Sequence, residues 1–189
     1  MKKIGLCTVF LLVATLSIAQ EFSQKDIMVS PGLGLGLYGV GYGIGFTVPL
    51  HVNVDVGVSD YVSVGGYAAY WKKTWDYSFS GQYKFTSTHI GVRGTFHWGK
   101  FLSEDMELDI IPDKTDLYAT FWGGYNIRSA KWKDNGGTVI NNKDLGWNNR
   151  LRAGAQIGAR YFIKDNIAIF AEWGGTPTAY SNWGLTFRF

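Results

Sequence analysis

The last eight residues, Asn182-Trp183-Gly184-Leu185-Thr186-Phe187-Arg188-Phe189, decide how the chain is read. Trp183, Leu185, Phe187 and Phe189 alternate with Gly184, Thr186 and Arg188, the period of a strand with one apolar face. A soluble protein gains little by ending on an exposed Phe-Arg-Phe. A closed sheet in lipid needs its last strand to pair with its first, because an open edge would leave backbone polar groups unpaired in hydrocarbon.

At the other end, Met1 to Gln20 is laid out as a secretory signal, with basic Lys2 and Lys3, an apolar run from Ile4 to Ile18 and a Ser17-Ile18-Ala19 cleavage site. Cleavage after Ala19 would leave residues 20–189 as a single domain. The one cysteine, Cys7, lies within the signal and not just behind the cleavage point, which argues against a lipid-anchored lipoprotein. Without it the mature chain has no disulfide, thiolate metal site or cysteine nucleophile. Removing Lys2 and Lys3 leaves 16 basic against 15 acidic residues, a balance with no nucleic-acid footprint.

Residues 31–50 are uncharged and long enough to span a membrane as a helix. They also hold seven glycines and two prolines, costing roughly 1 and 3 kcal/mol each in a helix, so strand is the better reading. Eight alternating segments are expected, at about 26–37, 48–58, 61–71, 83–98, 116–128, 149–163, 167–175 and 182–189. This is an all-β, eight-stranded antiparallel up-and-down transmembrane β-barrel. Residues 72–82 and 129–147 are expected as outer loops. Residues 99–114, with an acidic run at 104–109, form an inner link to which no role is assigned. Tyr61, Trp98, Tyr161 and Phe189 should mark the inner interface, and Tyr70, Trp173 and Trp183 the outer one.

Alternation alone also fits a soluble barrel, and the charges separate the two. The lysines after the signal fall in loops or at strand ends, while Arg93, Arg128, Arg150, Arg152, Arg160 and Arg188 share parity with the Gly, Ser, Asn and Thr face, as do Asp55 and Glu172. A midplane Lys or Arg in lipid costs about 2–4 kcal/mol, so the charged face belongs in the lumen and the apolar face outside.

The mature chain resembles the small outer-membrane β-barrel family of Gram-negative bacteria, OmpA/OmpX-type in architecture. The resemblance is carried by the final polar-x-Gly-x-x-apolar-x-apolar pattern, by Gly32-Leu33-Gly34-Leu35-Gly36, and by Tyr161-Phe162-Ile163-Lys164-Asp165-Asn166. It implies an outer-membrane location, with outer-membrane lipid and the barrel-insertion machinery as partners, and Gly184, Phe187 and Phe189 as the insertion signal. A monomer is expected, without the peptidoglycan-binding domain of two-domain relatives.

Within the lumen, Glu172 and Arg152 are expected on neighbouring strands in the outer half, with Asp55, Arg93, Arg160 and Arg188 lower. Buried charges need partners, so these should form layers that plug the barrel. A narrow anion-preferring channel stands as the alternative, because inward Arg outnumbers inward carboxylate. His51, His89 and His97 have lumen parity without a recognisable ligand spacing, so neither metal nor cofactor is expected. A lipid-modifying enzyme would need a nucleophile and base near the outer rim. Ser78, Ser80 and Ser129 lack one there, and no catalytic residue is assigned.

The outer loops mix cations with aromatics, at Trp71, Trp75 and Tyr77 and again at Lys131, Trp132 and Lys133. Such surfaces can grip glycans, lipid headgroups or a host protein, although an aromatic girdle continuing into the loops, with lysines anchored on phosphate, is the simpler reading. Asn135-Gly136-Gly137 marks a hairpin that could protrude as a ribbon and offer an edge for strand addition.

Overall fold

The computed structural model describes residues 23–37, 48–77, 81–104, 114–141 and 149–189. The signal segment and the cleavage site therefore lie outside the described residues. The alternating segments form nine strands: β1 (Ile27–Leu37), β2 (Leu50–Gly57), β3 (Val62–Tyr77), β4 (Gly81–Phe96), β5 (Thr115–Lys133), β6 (Val139–Asn141), β7 (Arg150–Lys164), β8 (Ile167–Gly174) and β9 (Ala179–Arg188). A single described helix, α1 (Trp98–Glu104), stands between β4 and β5.

Eight strands close into an antiparallel barrel in the order β1-β2-β3-β4-β5-β7-β8-β9 and back to β1, and β6 pairs, among the described residues, with the outer end of β5 alone. At the seam, Ile27 N–H donates to Phe189 O at 3.1 Å and Phe189 N–H donates to Ile27 O at 2.9 Å. The β1–β9 register then skips from Val29 to Gly32, passing Pro31, which has no N–H to give. Gly184 sits opposite Gly32, and a Cβ there would meet Pro31 O at 2.2 Å, so the seam closes only around glycine.

Followed strand to strand from Gly32, the register reaches β7 at Arg150 by way of β2 to β5, and at Arg160 by way of β9 and β8. That offset is the shear that tilts the strands and lets eight of them close. It also sets residues far apart in sequence at one height in the lumen.

Outward side chains are apolar and bare, with Val92 and Phe121 each 70% exposed, while Asp55, Arg93, Arg160 and Glu172 are almost fully buried. The chain is therefore inside-out, as its charges required. Tyr161 and Phe189 are exposed at the inner end, and Tyr70, Trp173 and Trp183 at the outer end, as two girdles. The link after β4 is partly helical: Phe101 of α1 lies 6.1 Å from Tyr61 and 6.2 Å from Phe96, ring to ring, thickening the inner girdle.

The largest departure from expectation is at the outer end. Residues 72–77 and 129–133, expected as loop, continue β3 and β5 without a break, and residues 82–88 of β4 pair with both. A three-stranded sheet thus rises above the other described strands. Gly81, at φ +118°, opens β4, and a Cβ there would lie 2.1 Å from Lys133 O. Among the described residues the expected ribbon is a short arm, with β6 on residues 131–133 of β5 beyond the turn at 134–138.

Candidate functional site: a charged lumen beneath a basic sheet

Five charged side chains from five strands cross the lumen as one chain of ion pairs. Glu172 (β8) accepts from Arg93 (β4) at 2.9 Å, and Arg93 Nε stands 3.1 Å from Asp55 (β2) in a geometry too bent for a hydrogen bond. Asp55 pairs with Arg160 (β7) at 3.3 Å, and Arg160 with Asp116 (β5) at 2.9 Å. Neutral groups satisfy much of what remains. Tyr118 O–H and Asn182 N–H donate to Glu172 at 3.2 and 3.3 Å, Arg93 also donates to Thr120 at 3.2 Å, and the Arg160 guanidinium lies 4.1 Å from the Tyr118 ring centre. With the lumen only wide enough for side chains, such a layer fills its cross-section.

At the inner end of this layer His97 joins Ser63 and Asp116, with Nε2 3.0 Å from Ser63 Oγ and Nδ1 2.8 Å from Asp116 Oδ1. These are the contacts of a nucleophile, base and orienting acid. Ser63 and His97 are completely buried, however, and the second oxygen of Asp116 is held by Arg160. The buried trio forms a hydrogen-bonded floor to the ion-pair layer. It escaped the sequence reading because its members come from β3, the residue after β4, and β5, and share no spacing; only their common lumen parity hinted at it.

Above the ion pairs the lumen is looser. His51, Asn53, Tyr67, Trp122, Gln156 and Asn182 line a cavity of about 10 Å³, close to the lower limit for one water. Several of their buried polar atoms find no protein partner, including both His51 nitrogens and the Tyr67 hydroxyl. Trp122 stacks edge-on against Tyr67 at 5.6 Å and His89 at 6.1 Å. Higher still, Arg128 on β5 faces Arg150 and Arg152 on β7, with Arg150 and Arg152 opposite Asn126 and Gly124. Among the described residues no three His, Cys, Asp or Glu side chains converge as a metal set.

Two members expected in the lumen network lie elsewhere. Glu172 stands opposite Gly158, six residues along β7 from Arg152, so its partner is Arg93 across the barrel and not Arg152 on the next strand. Arg188 belongs to the inner rim, 3.8 Å from Asp26, bonded to Asp165 O and stacked 4.4 Å over Phe162. Asp116, Ser63 and His97 are the members that the expected set lacked.

In the sheet above the barrel the alternation continues but the chemistry of its faces is exchanged. Trp71, expected in an exposed loop, is 3% exposed and packs with Phe85 and Ala130 on the lumen side, with Trp75 and Tyr83 against them. Trp71 and Phe85 ring centres are 5.2 Å apart, and Lys73 lies 5.0 Å from the Trp75 ring. Trp132 continues this face at 6.4 Å from Tyr83. Tyr77 ends β3. The opposite, outward face carries Lys72, Lys84, Lys131 and Lys133, all exposed.

No family model matches the sequence, and no curated protein matches it. Among solved structures it is similar to the crystal structure of Ail, the attachment invasion locus protein of Yersinia pestis. The TM-score is 0.55 at 14% identity, covering 88% of this chain and 99% of that one. The same protein in complex with the heparin analogue sucrose octasulfate gives 0.56 at 13% identity over the same shares. Neisserial surface protein A gives 0.51 at 11% identity, covering 87% of this chain and 96% of that one. At such identity the likeness is one of fold. The chain accordingly has the eight-stranded antiparallel architecture of the small outer-membrane β-barrels that its sequence resembled.

Proposed function

We propose that this is a non-enzymatic outer-membrane barrel whose lumen is sealed by ion pairs and whose β3-β4-β5 sheet stands above the outer leaflet as a recognition element. The observation that carries this is the continuation of three paired strands past the outer girdle with their own aromatic core, which barrel closure alone does not require. Ail is named for attachment and invasion, and it was solved with a heparin analogue, which lends support to a recognition role for a barrel of this shape.

Shortening the sheet, by deleting residues 72–86 and 129–149 and joining the strands with tight turns, should abolish binding to host cells or sulfated glycans while heat-modifiable gel mobility persists. Unchanged binding would remove the recognition role. A serine-directed fluorophosphonate should leave Ser63 unlabelled in the folded protein, and labelling would revive the enzyme reading.

A narrow anion-preferring channel is the second reading, favoured by Arg128, Arg150 and Arg152 around the outer mouth. The layer beneath them weighs against it, since Asp116 brings the carboxylates there to three against two guanidinium groups. In planar bilayers the purified protein should show no steady conductance. A stable anion-selective current would overturn the sealed lumen.

A further inference from the structure

The outward face of the sheet holds a ladder of lysines. Lys84 on β4 stands directly opposite Lys131 on β5, with Lys72 one same-face rung below them on β3 and Lys133 one rung above on β5. None of the four ammonium groups has an ion-pair or hydrogen-bond partner among the described residues. Like charges directly opposite on an exposed ladder are destabilising, and this register is fixed by the strands continuing below it. An anion between the ammonium groups removes the penalty. Thr74, Thr86 and Ser129 lie between them on the same face and add hydroxyl donors.

The height of the ladder narrows the choice of anion. Tyr70, Thr88 and Ile127 form one rung, the last with exposed apolar side chains before the lysines begin. At about 3.4 Å per residue on a tilted strand, Lys72 lies roughly 5 Å above that rung and Lys84 and Lys131 roughly 10 Å above it. Those heights span the headgroup layer, and lysine stems can reach down along the sheet. The face looks sideways over the bilayer, continuous with Ile90 and Tyr70, and not up into the medium. Charge along the chain agrees: residues 71–87 and 128–152 carry nine Lys and Arg against three Asp, whereas the rest beyond residue 20 carries seven against twelve acidic residues.

We propose that Lys72, Lys84, Lys131 and Lys133 form a binding site for the phosphate groups of anionic lipids in the outer leaflet, fixing the height of the sheet over the membrane. The site rests on the outer-membrane barrel reading and extends it to a lipid partner.

The full chain, refolded into phosphatidylcholine vesicles, is tested by electron spin resonance with spin-labelled phosphatidic acid, whose headgroup is a phosphomonoester, against spin-labelled phosphatidylcholine. Phosphatidic acid should be preferred about fivefold, and K72Q/K84Q/K131Q/K133Q should fall to near parity while K25Q/K164Q at the inner rim keeps the preference. Equal preference in wild type and quadruple variant, both folded by gel mobility, overturns the site and leaves the barrel standing. Failure of the wild type to insert overturns the barrel reading itself. Inositol hexakisphosphate is added to phosphatidylcholine vesicles in a second arm. If it binds there through the four lysines while no lipid preference is seen, the occupant is a soluble polyanion and the lipid assignment is overturned.

Discussion

Below Tyr70 and above it, β3, β4 and β5 keep one alternation and exchange its chemistry. In the barrel, Val64, Ile90, Val92 and Phe121 look outward and Ser63, Arg93 and Asn126 inward; in the sheet above, Lys72, Lys84 and Lys131 look outward and Trp71, Phe85 and Ala130 inward. The backbone does not change at the crossing, since the ladder runs unbroken from Val62–Phe96 to Tyr77–Gly81. What changes is the solvent. Lipid draws apolar side chains outward, and water returns them to the enclosed side, so the reversal between Tyr70 and Lys72 marks the outer boundary of the membrane to about one rung.

The comparison predicts that the two regions fail independently, and the largest effect lies in the lumen. Arg93→Ala leaves the buried Asp55 and Glu172 carboxylates with too little positive charge, and should cost about 3–5 kcal/mol in urea unfolding followed by gel mobility. Arg152→Ala, at the open outer mouth, should cost less than about 1 kcal/mol. Equal losses would mean that the layer is not the structural centre of the barrel. Next in size, Trp71→Ala should cost about 3 kcal/mol, but only within the sheet. Faster amide exchange in residues 71–77, with unchanged heat-modifiable mobility, would separate the two cooperative units. Global loss of the barrel would join them.

The same reversal explains what the sequence revealed and what it hid. Strand identity, closure and orientation were legible, because Leu50 to Val58 alternates without exception and every Arg shares the polar parity. The sheet was hidden because Lys72 and Lys73 interrupt an apolar-out pattern in the way a loop would, although Trp71, Lys73 and Trp75 remain in phase on the inner face. Partners in the lumen were hidden for another reason. Arg93 and Glu172 are 79 residues apart, and nothing but the shear of the closed barrel sets them at one height. Asp116 stands at the start of β5, where a carboxylate reads as a solvated strand end, yet it joins Arg160 to His97.

A charge on the outward face should read the boundary directly. Val92, 70% exposed and midway along the part of β4 below the Tyr70 rung, should cost about 2–3 kcal/mol of stability on Val92→Lys, measured by unfolding from vesicles. Thr86→Lys, on the same strand and face but above Tyr70, should change stability by less than about 0.5 kcal/mol. A similar cost at both positions would place residue 86 in hydrocarbon and move the boundary outward.

The smallest effect is the sharpest on the sheet, because its sign depends on the lipid. Lys84→Glu turns the Lys84–Lys131 juxtaposition into an opposite-charge pair, which in phosphatidylcholine should stabilise the sheet by about 0.2–1 kcal/mol, read from amide exchange in β4 and β5. In membranes bearing phosphomonoester headgroups the wild type gains the phosphate and the variant repels it, so the order should reverse. Had the two lysines been neighbours only by register, with no anion between them, Lys84→Glu would be favourable in both membranes. A sign that follows the headgroup therefore ties the reversed polarity of the sheet to the lipid beneath it.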